Sequence, residues 1–135
     1  LLLAIHAAAT WFMVGLVVFV QVVHYPLYDG VPEERFGAYH DRHLRRTLWV
    51  VGPPMLIEAG AAVALIGSAD LGALPLVGAL LLAVVWGSTV LLQIPAHRAL
   101  ERGWDARAHR RLVGGNVVRT VAWAGRGVVA TALLA

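Results

Sequence analysis

The side chains in this chain that can do chemistry are few and unevenly placed. His24, His40, His43, His97 and His109 lie in or beside two polar stretches, and His6 stands apart near the first residue. The stretch His24–Arg46, HYPLYDGVPEERFGAYHDRHLRR, holds three of the six histidines, four of the eleven basic residues and four of the eight acids. Imidazole gains and loses a proton near neutral pH and is a common metal ligand. Its clustering points to proton transfer, or to a site for a transition metal (iron, copper or zinc) or haem. His40 and His43, three apart, can be presented together from one helix. The plainer reading is that interfacial histidines bond headgroups and water.

A second set of polar residues interrupts apolar runs. A charge at mid-membrane costs ~2.5–3.5 kcal/mol on insertion scales, so such residues need partners. Glu58 and Arg126 are expected to pair. If the second apolar run starts only at Pro53, Arg119 becomes the expected partner of Glu58. A structural ion pair and a functional carboxylate, acting as ligand or general base, are both open. Arg119 is suited to stabilising developing negative charge or an acidic group of a substrate.

Helical spacing lines these residues up. Gln21 and His24 share a face, as do Trp86, Gln93 and His97. Asn116, Arg119, Trp123 and Arg126 alternate by three and four, and Thr47, Pro54 and Glu58 form one stripe. Polar groups are unfavourable against lipid, so these seams are expected to face one another. Glu58, Asn116, Arg119 and Arg126 are therefore candidate catalytic residues. Gln21, Gln93, Trp86 and Trp123 are candidate contacts to a cofactor, and the five clustered histidines are candidate metal ligands.

The elements that must position them are membrane helices. Of 135 residues, 59% are hydrophobic and only 14% charged, and the mean hydropathy is +0.72. A soluble domain carries about 25% charged residues. Apolar runs near the ~20 residues needed to cross a bilayer recur four times: 2–23, 47–66, 73–94 and 112–134. The first run is long and lacks a charged leader, so it reads as a span and not a cleaved signal. Pro26, Pro53 and Pro95 are expected to end, shorten or kink helices. A short amphipathic helix, 33–46, is expected between spans one and two. With no cysteine, thiolate sites and disulfides are excluded.

Together these features describe an all-α, single-domain (1–135) integral membrane four-helix bundle. Every basic residue is Arg, and nine of the eleven lie in the two polar connections. The positive-inside rule makes those connections cytoplasmic and puts both termini outside, as in a bacterial inner membrane. The arginines thus serve topology, and no nucleic-acid partner is expected. Gln21 to His24 and Gln93 to His97, each followed by an aromatic, a histidine and an Arg-Thr, suggest two repeated helical hairpins, although shared topology alone would give much of this likeness.

The second half, Gln93-Ile-Pro-Ala-His97-Arg-Ala-Leu100 followed by Asn116-Val-Val-Arg119-Thr120, resembles the four-span DUF1772 family, also called anthrone oxygenase-like. The resemblance covers about 40 residues. It implies oxidation of a polycyclic or otherwise apolar substrate, with His97, Asn116 and Arg119 at the site. The opening His6-Ala-Ala-Ala-Thr-Trp11 is more distantly similar to copper-resistance and haem-related membrane proteins. The reading that follows is a membrane oxidoreductase acting on a lipophilic small molecule, with metal assistance one option. The alternatives are a non-catalytic subunit, either binding haem or pigment through His24 and His97 or bracing a larger complex, and a small transporter. Partners beyond the lipid bilayer would be a second copy or a larger membrane complex.

Overall fold

Helices account for nearly every element, because leucine-, valine- and alanine-rich runs have no route to satisfy their backbone in lipid except internally. The computed structural model describes residues 1–135, the side chain of Ala69 excepted. Helix α1 spans Leu2–Phe19 and continues as a π-helical turn, Val20–His24, and a 3-10 turn, Pro26–Gly30. Helix α2 runs over Glu33–Ile66, and a 3-10 turn at Ala69–Leu71 leads to α3, Leu74–Ser88. A second π-helical turn, Thr89–Gln93, joins α3 to α4, Ile94–Leu100, and α5 covers Ala106–Ala132. Helix α5 packs against α3 and α1, and α1 against α2.

Three helical stretches are long and apolar enough to cross a membrane: Leu2–Gly30, Glu33–Ile66 and Leu74–Leu100. Helix α5, at 27 residues, is about 40 Å long but carries Asn116, Arg119 and Arg126 turned inward and buried. The surface is the inverse of a soluble protein's. Leu48, Trp49, Leu56, Val63, Leu80, Leu91, Val121 and Val128 are exposed, whereas His40, Glu58, Asn116 and Arg126 are buried. In water such an apolar surface would be an association hazard. Against lipid it is the expected outer face.

Several expected boundaries move. The separate amphipathic helix does not form: 33–46 and the second span are one 34-residue helix. Glu33 and Glu34 sit in its first turn, where carboxylates offset the helix dipole. Pro53 and Pro54 lie inside it without ending it. They leave the carbonyls of Trp49 and Val50 without their usual donors. Pro95 likewise does not close the third span: the helix runs on from the π turn through α4 to Leu100, with Pro95 just after the turn. The second polar connection shrinks to 101–105, turned by Gly103 at φ +126°. Asp105 then caps α5, accepting the backbone N–H groups of Arg107 at 2.8 Å and Ala108 at 3.0 Å. Those two donors hold its carboxyl below the usual range.

Residue order along the helices layers the interior. On α1, Thr10 is followed by Met13, Val14 and Val17, then Gln21 in the π turn. On α5, Arg119 precedes Ala122 and Trp123, then Arg126. Helix α2 places Met55 between Thr47 and Glu58, and α3 with the π turn that follows it places Val85 between Gly78 and Gln93. Met13, Val14, Val17, Met55, Val85, Ala122 and Trp123 form one apolar cluster. It separates an ionic layer near the N-terminal end of α1 from an imidazole-rich layer at its far end.

Candidate functional site

The ionic layer comes from α1, α2, α3 and α5. Arg126 pairs with Glu58 through Nη2 and donates from Nη1 to the Gly78 carbonyl. Thr10 Oγ1 lies 2.8 Å from the His6 carbonyl and 3.2 Å from Glu58 Oε1. His6 Nε2, 3.1 Å from Arg126 Nη2, is placed to accept from the guanidinium. At 3.6 Å from Glu58 Oε1 it is too far for a hydrogen bond. Glu58 thus takes Arg126 and not Arg119 as its partner. Both are buried, so the guanidinium and carboxylate replace for each other the water that each has lost.

The second layer is built where the two π-helical turns face the start of α5. A π turn inserts one extra residue and re-aims the side chains it carries. Each of these turns carries a glutamine that reaches α5: Gln21 Nε2 donates to the Val113 carbonyl and Gln93 Nε2 to the Leu112 carbonyl, each at 3.3 Å. Gly115 permits the second contact, because a Cβ there would stand 3.1 Å from Gln93 Nε2 and 3.2 Å from Leu92 Cβ. Asn116 Nδ2 donates to Gln21 Oε1 at 3.0 Å, and Arg119 Nη1 donates to Asn116 Oδ1 at 3.3 Å. Arg119 also sits beside the Tyr25 hydroxyl.

From Tyr25 a bonded chain runs through imidazoles. The Tyr25 hydroxyl is 3.0 Å from His97 Nε2, and His97 Nδ1 is 2.9 Å from His40 Nε2. Each link can be bonded with either partner as donor, so a proton can pass along the chain by a change of tautomer. A second pair, His24 Nε2 and His43 Nδ1 at 2.8 Å, lies alongside. The ring centroids of His43 and His97 are 6.2 Å apart. Tyr28 stands among these rings, with centroids 5.4 Å from His24, 5.6 Å from His43 and 6.0 Å from His40. His109 is held differently, its Nε2 2.7 Å from the Tyr25 carbonyl. Among the described residues no three His, Asp or Glu side chains converge as a metal-ligand set. Four of the imidazoles are bonded in pairs instead.

A cavity of about 410 Å³ opens onto this network, within the range of small-molecule sites. Tyr25, His43, His97, Gln93, Asn116 and Arg119 supply its polar end. Met13, Val17, Val51, Met55 and Trp86 are among its apolar walls. Two of the polar residues are incompletely bonded. Arg119 is 8% exposed and Gln93 2%, yet Arg119 Nε and Gln93 Oε1 have no partner. Arg119, unlike Arg126, has no carboxylate.

The structure therefore divides the candidate residues. Asn116, Arg119, Gln93, Trp86, His43 and His97 meet at the cavity, with Gln21 and His40 one hydrogen bond behind them. His24 lines a smaller crevice of about 220 Å³ between α1 and α2. Glu58 and Arg126 lie beyond the apolar layer, and neither lines the cavity. Trp123 is buried in that apolar layer, with the Arg126 guanidinium 5.9 Å from its ring centre. Sequence reasoning gave no role to Tyr25 or Tyr28. It also missed the roles of His6 and Thr10. Position offered a signal for Thr10: it falls four residues after His6 on the face that Met13 and Val17 continue.

No protein-family model matches the chain, no curated protein matches it, and no solved structure matches it.

Proposed function

We propose that this chain is a four-span membrane oxidoreductase that oxidises a lipophilic small molecule held in the cavity. The observation that carries this reading is the hydrogen-bonded run Tyr25–His97–His40 ending at an apolar cavity beside Arg119. Oxidising an organic molecule removes protons as well as electrons. His97, reached through or beside Tyr25, accepts a proton from the ligand, and His40 carries it away from the cavity. Arg119 and Asn116 stabilise the negative charge left behind, with greater effect there than in water. Dioxygen, soluble in the bilayer, is the electron acceptor the reading assumes. The partial likeness to the anthrone oxygenase-like family agrees with it.

The arrangement in the membrane belongs to the same proposal. Helix α5 is the fourth span, hidden from hydropathy by its inward polar face. Its basic start and the Arg-rich start of α2 face the cytoplasm of a bacterial inner membrane, and both termini lie outside.

The test compares lipophiles extracted from purified wild-type protein and from His97→Gln by mass spectrometry. The reading expects the variant to retain a reduced form: heavier by two hydrogens where the ligand is dehydrogenated and dioxygen leaves as hydrogen peroxide, or heavier by two hydrogens and lighter by one oxygen where a methylene becomes a carbonyl and the second oxygen atom leaves as water. The same molecules in the same oxidation state on both would overturn it.

A second reading keeps a transition metal, iron, copper or zinc, on the four clustered imidazoles. What supports it is the gathering of His24, His43, His40 and His97 as two imidazole pairs with facing nitrogens at 2.8 and 2.9 Å. Each pair would have to part to the roughly 3.3 Å that ~2.0–2.1 Å metal–nitrogen bonds set. Elemental analysis of protein purified without chelator or histidine tag separates the two: near-stoichiometric metal, lost in His43→Ala, supports this second reading.

A further inference from the structure

Among the described residues that line the cavity, Arg119 alone carries a permanent charge. A guanidinium keeps its proton in any protein environment. The neighbours it has are dipoles, Asn116 Oδ1 at 3.3 Å and the Tyr25 hydroxyl. No Asp or Glu lines the cavity. Glu58, the only buried acid among the described residues, is taken by Arg126 in the other layer. The remaining titratable groups facing the cavity cannot balance Arg119 either. His43 and His97 would add positive charge if protonated, and a phenol such as Tyr25 ordinarily keeps its proton to about pH 10. The cavity wall is therefore left with one uncompensated cation. In an apolar interior such a charge acts across several ångströms, so it biases the cavity without needing an exposed atom of its own.

The rest of the lining is apolar, with Met13, Val17, Val51 and Met55 along it. Leu48 and Leu56 also line it and are exposed on a stretch long enough to cross a membrane. The occupant that complements both features has an apolar body and a single negative charge. We propose that the cavity binds a lipophilic carboxylic acid drawn from the bilayer, held as its carboxylate against the charge of Arg119. The acid travels through lipid in its neutral form. At the cavity its O–H bond breaks, the electron pair stays on the carboxylate, and the proton passes to the Tyr25–His97–His40 run. An alcohol or ketone would leave Arg119 uncompensated, and a phosphate monoester dianion would bring a second charge with no partner. This rests on the reading of the cavity as the ligand site of an oxidoreductase and names the class of that ligand.

Gly52 offers a way to fill the site without touching Arg119. It lines the cavity, and a Cβ added there would meet nothing nearer than Leu48 Cδ1 at 3.9 Å. Leucine is also the better helix former at this position.

The experiment is calorimetric titration of the full chain in phosphatidylcholine nanodiscs with decanoate, 1-decanol and decyl phosphate, against empty nanodiscs. It is run at about pH 8.5, where a carboxylic acid is ionised and an imidazole ordinarily neutral. Decanoate is expected to bind roughly tenfold or more tightly than decanol, the scale of one hydrogen bond to a charged group. Arg119→Lys should keep that preference and Arg119→Gln should lose it. Gly52→Leu should abolish decanoate binding without lowering the melting temperature. Decanol or decyl phosphate binding wild type as tightly as decanoate, or no binding of decanoate, would overturn the proposal, and none of these depends on a variant folding. A preference that survives in folded Arg119→Gln, or unchanged decanoate binding to Gly52→Leu, would also overturn it. If the preference is absent but His97→Gln still alters the oxidation state of the extracted lipophile, this inference falls and the oxidoreductase reading stands. The opposite pattern removes the oxidation and keeps the acid site.

Discussion

The two polar layers of this bundle use similar residue types to different ends. In the ionic layer, Glu58 and Arg126 are charged partners, joined by Thr10, His6 and the Gly78 carbonyl, with no part in the cavity. In the imidazole layer, Arg119 is buried with amide and phenol neighbours but no carboxylate, and it borders open space. A buried charge that has found its counter-charge inside the protein is explained by folding. A buried charge that has only dipoles around it, beside a cavity, still has capacity for a ligand. The contrast shows why burial of a polar residue in a membrane helix does not by itself mark a site: the state of its partners decides.

The largest effect should come from splitting the ionic pair. Arg126→Leu alone leaves Glu58 buried and unpaired, and should cost about 3–5 kcal/mol, read as a loss of stability to denaturant in detergent. Glu58→Met combined with Arg126→Leu should restore most of that, because the layer becomes a packed apolar continuation of the one beneath it. A double variant as damaged as the single one would mean that the ionic layer does more than hold the fold.

Arg119→Ala should reverse the pattern. Its stability loss should be nearer 1 kcal/mol, the scale of its hydrogen bond to Asn116, while the lipophile retained through purification falls at least tenfold by mass spectrometry. Tyr25→Phe keeps the ring and removes only the hydroxyl that bonds His97. Binding should change little, and turnover of the extracted lipophile should drop by about 10²-fold. A variant with full turnover would remove Tyr25 from the proton path.

The smallest effect lies outside both layers. Asp105→Ala removes the cap of α5 and should lower the melting temperature slightly at neutral pH. The folded carboxyl is held below its ordinary 3.8 by the N–H groups of Ala108 and Arg107. Its contribution is therefore present above that ordinary value and lost as pH falls through the lower folded one. Melting curves of wild type and variant should converge in strong acid and separate at neutral pH.

Much of this was legible in the sequence, and the exceptions have physical causes. The spacing of Asn116, Arg119, Trp123 and Arg126 showed one polar seam, and all four are buried. It could not show that a layer of Met13, Met55 and Trp123 divides that seam, because the division depends on residues from other helices at the same depth. The Glu58–Arg126 pair followed from matching depths and the high energy of a lone charge in lipid. Pro95 misled, because the helix continues past it beyond the π turn, and of the two alternatives at Pro53-Pro54 a span starting there does not hold, since both prolines lie inside one long helix. Both π turns were invisible: Val20–His24 and Thr89–Gln93 differ from ordinary helix only in hydrogen-bond register. The role of Tyr25 followed from neighbours 72 and 84 residues away, which no local pattern reports.

The separation of a structural layer from a binding layer is tested most directly by measuring bound lipophile in three proteins purified alike: wild type, Arg119→Ala, and the Glu58→Met with Arg126→Leu double variant. Mass spectrometry of the solvent extract, with the protein confirmed as folded, should find the same lipophile on wild type and on the double variant and lose it from Arg119→Ala. A folded double variant stripped of the lipophile, with Arg119→Ala still carrying it, would contradict the account.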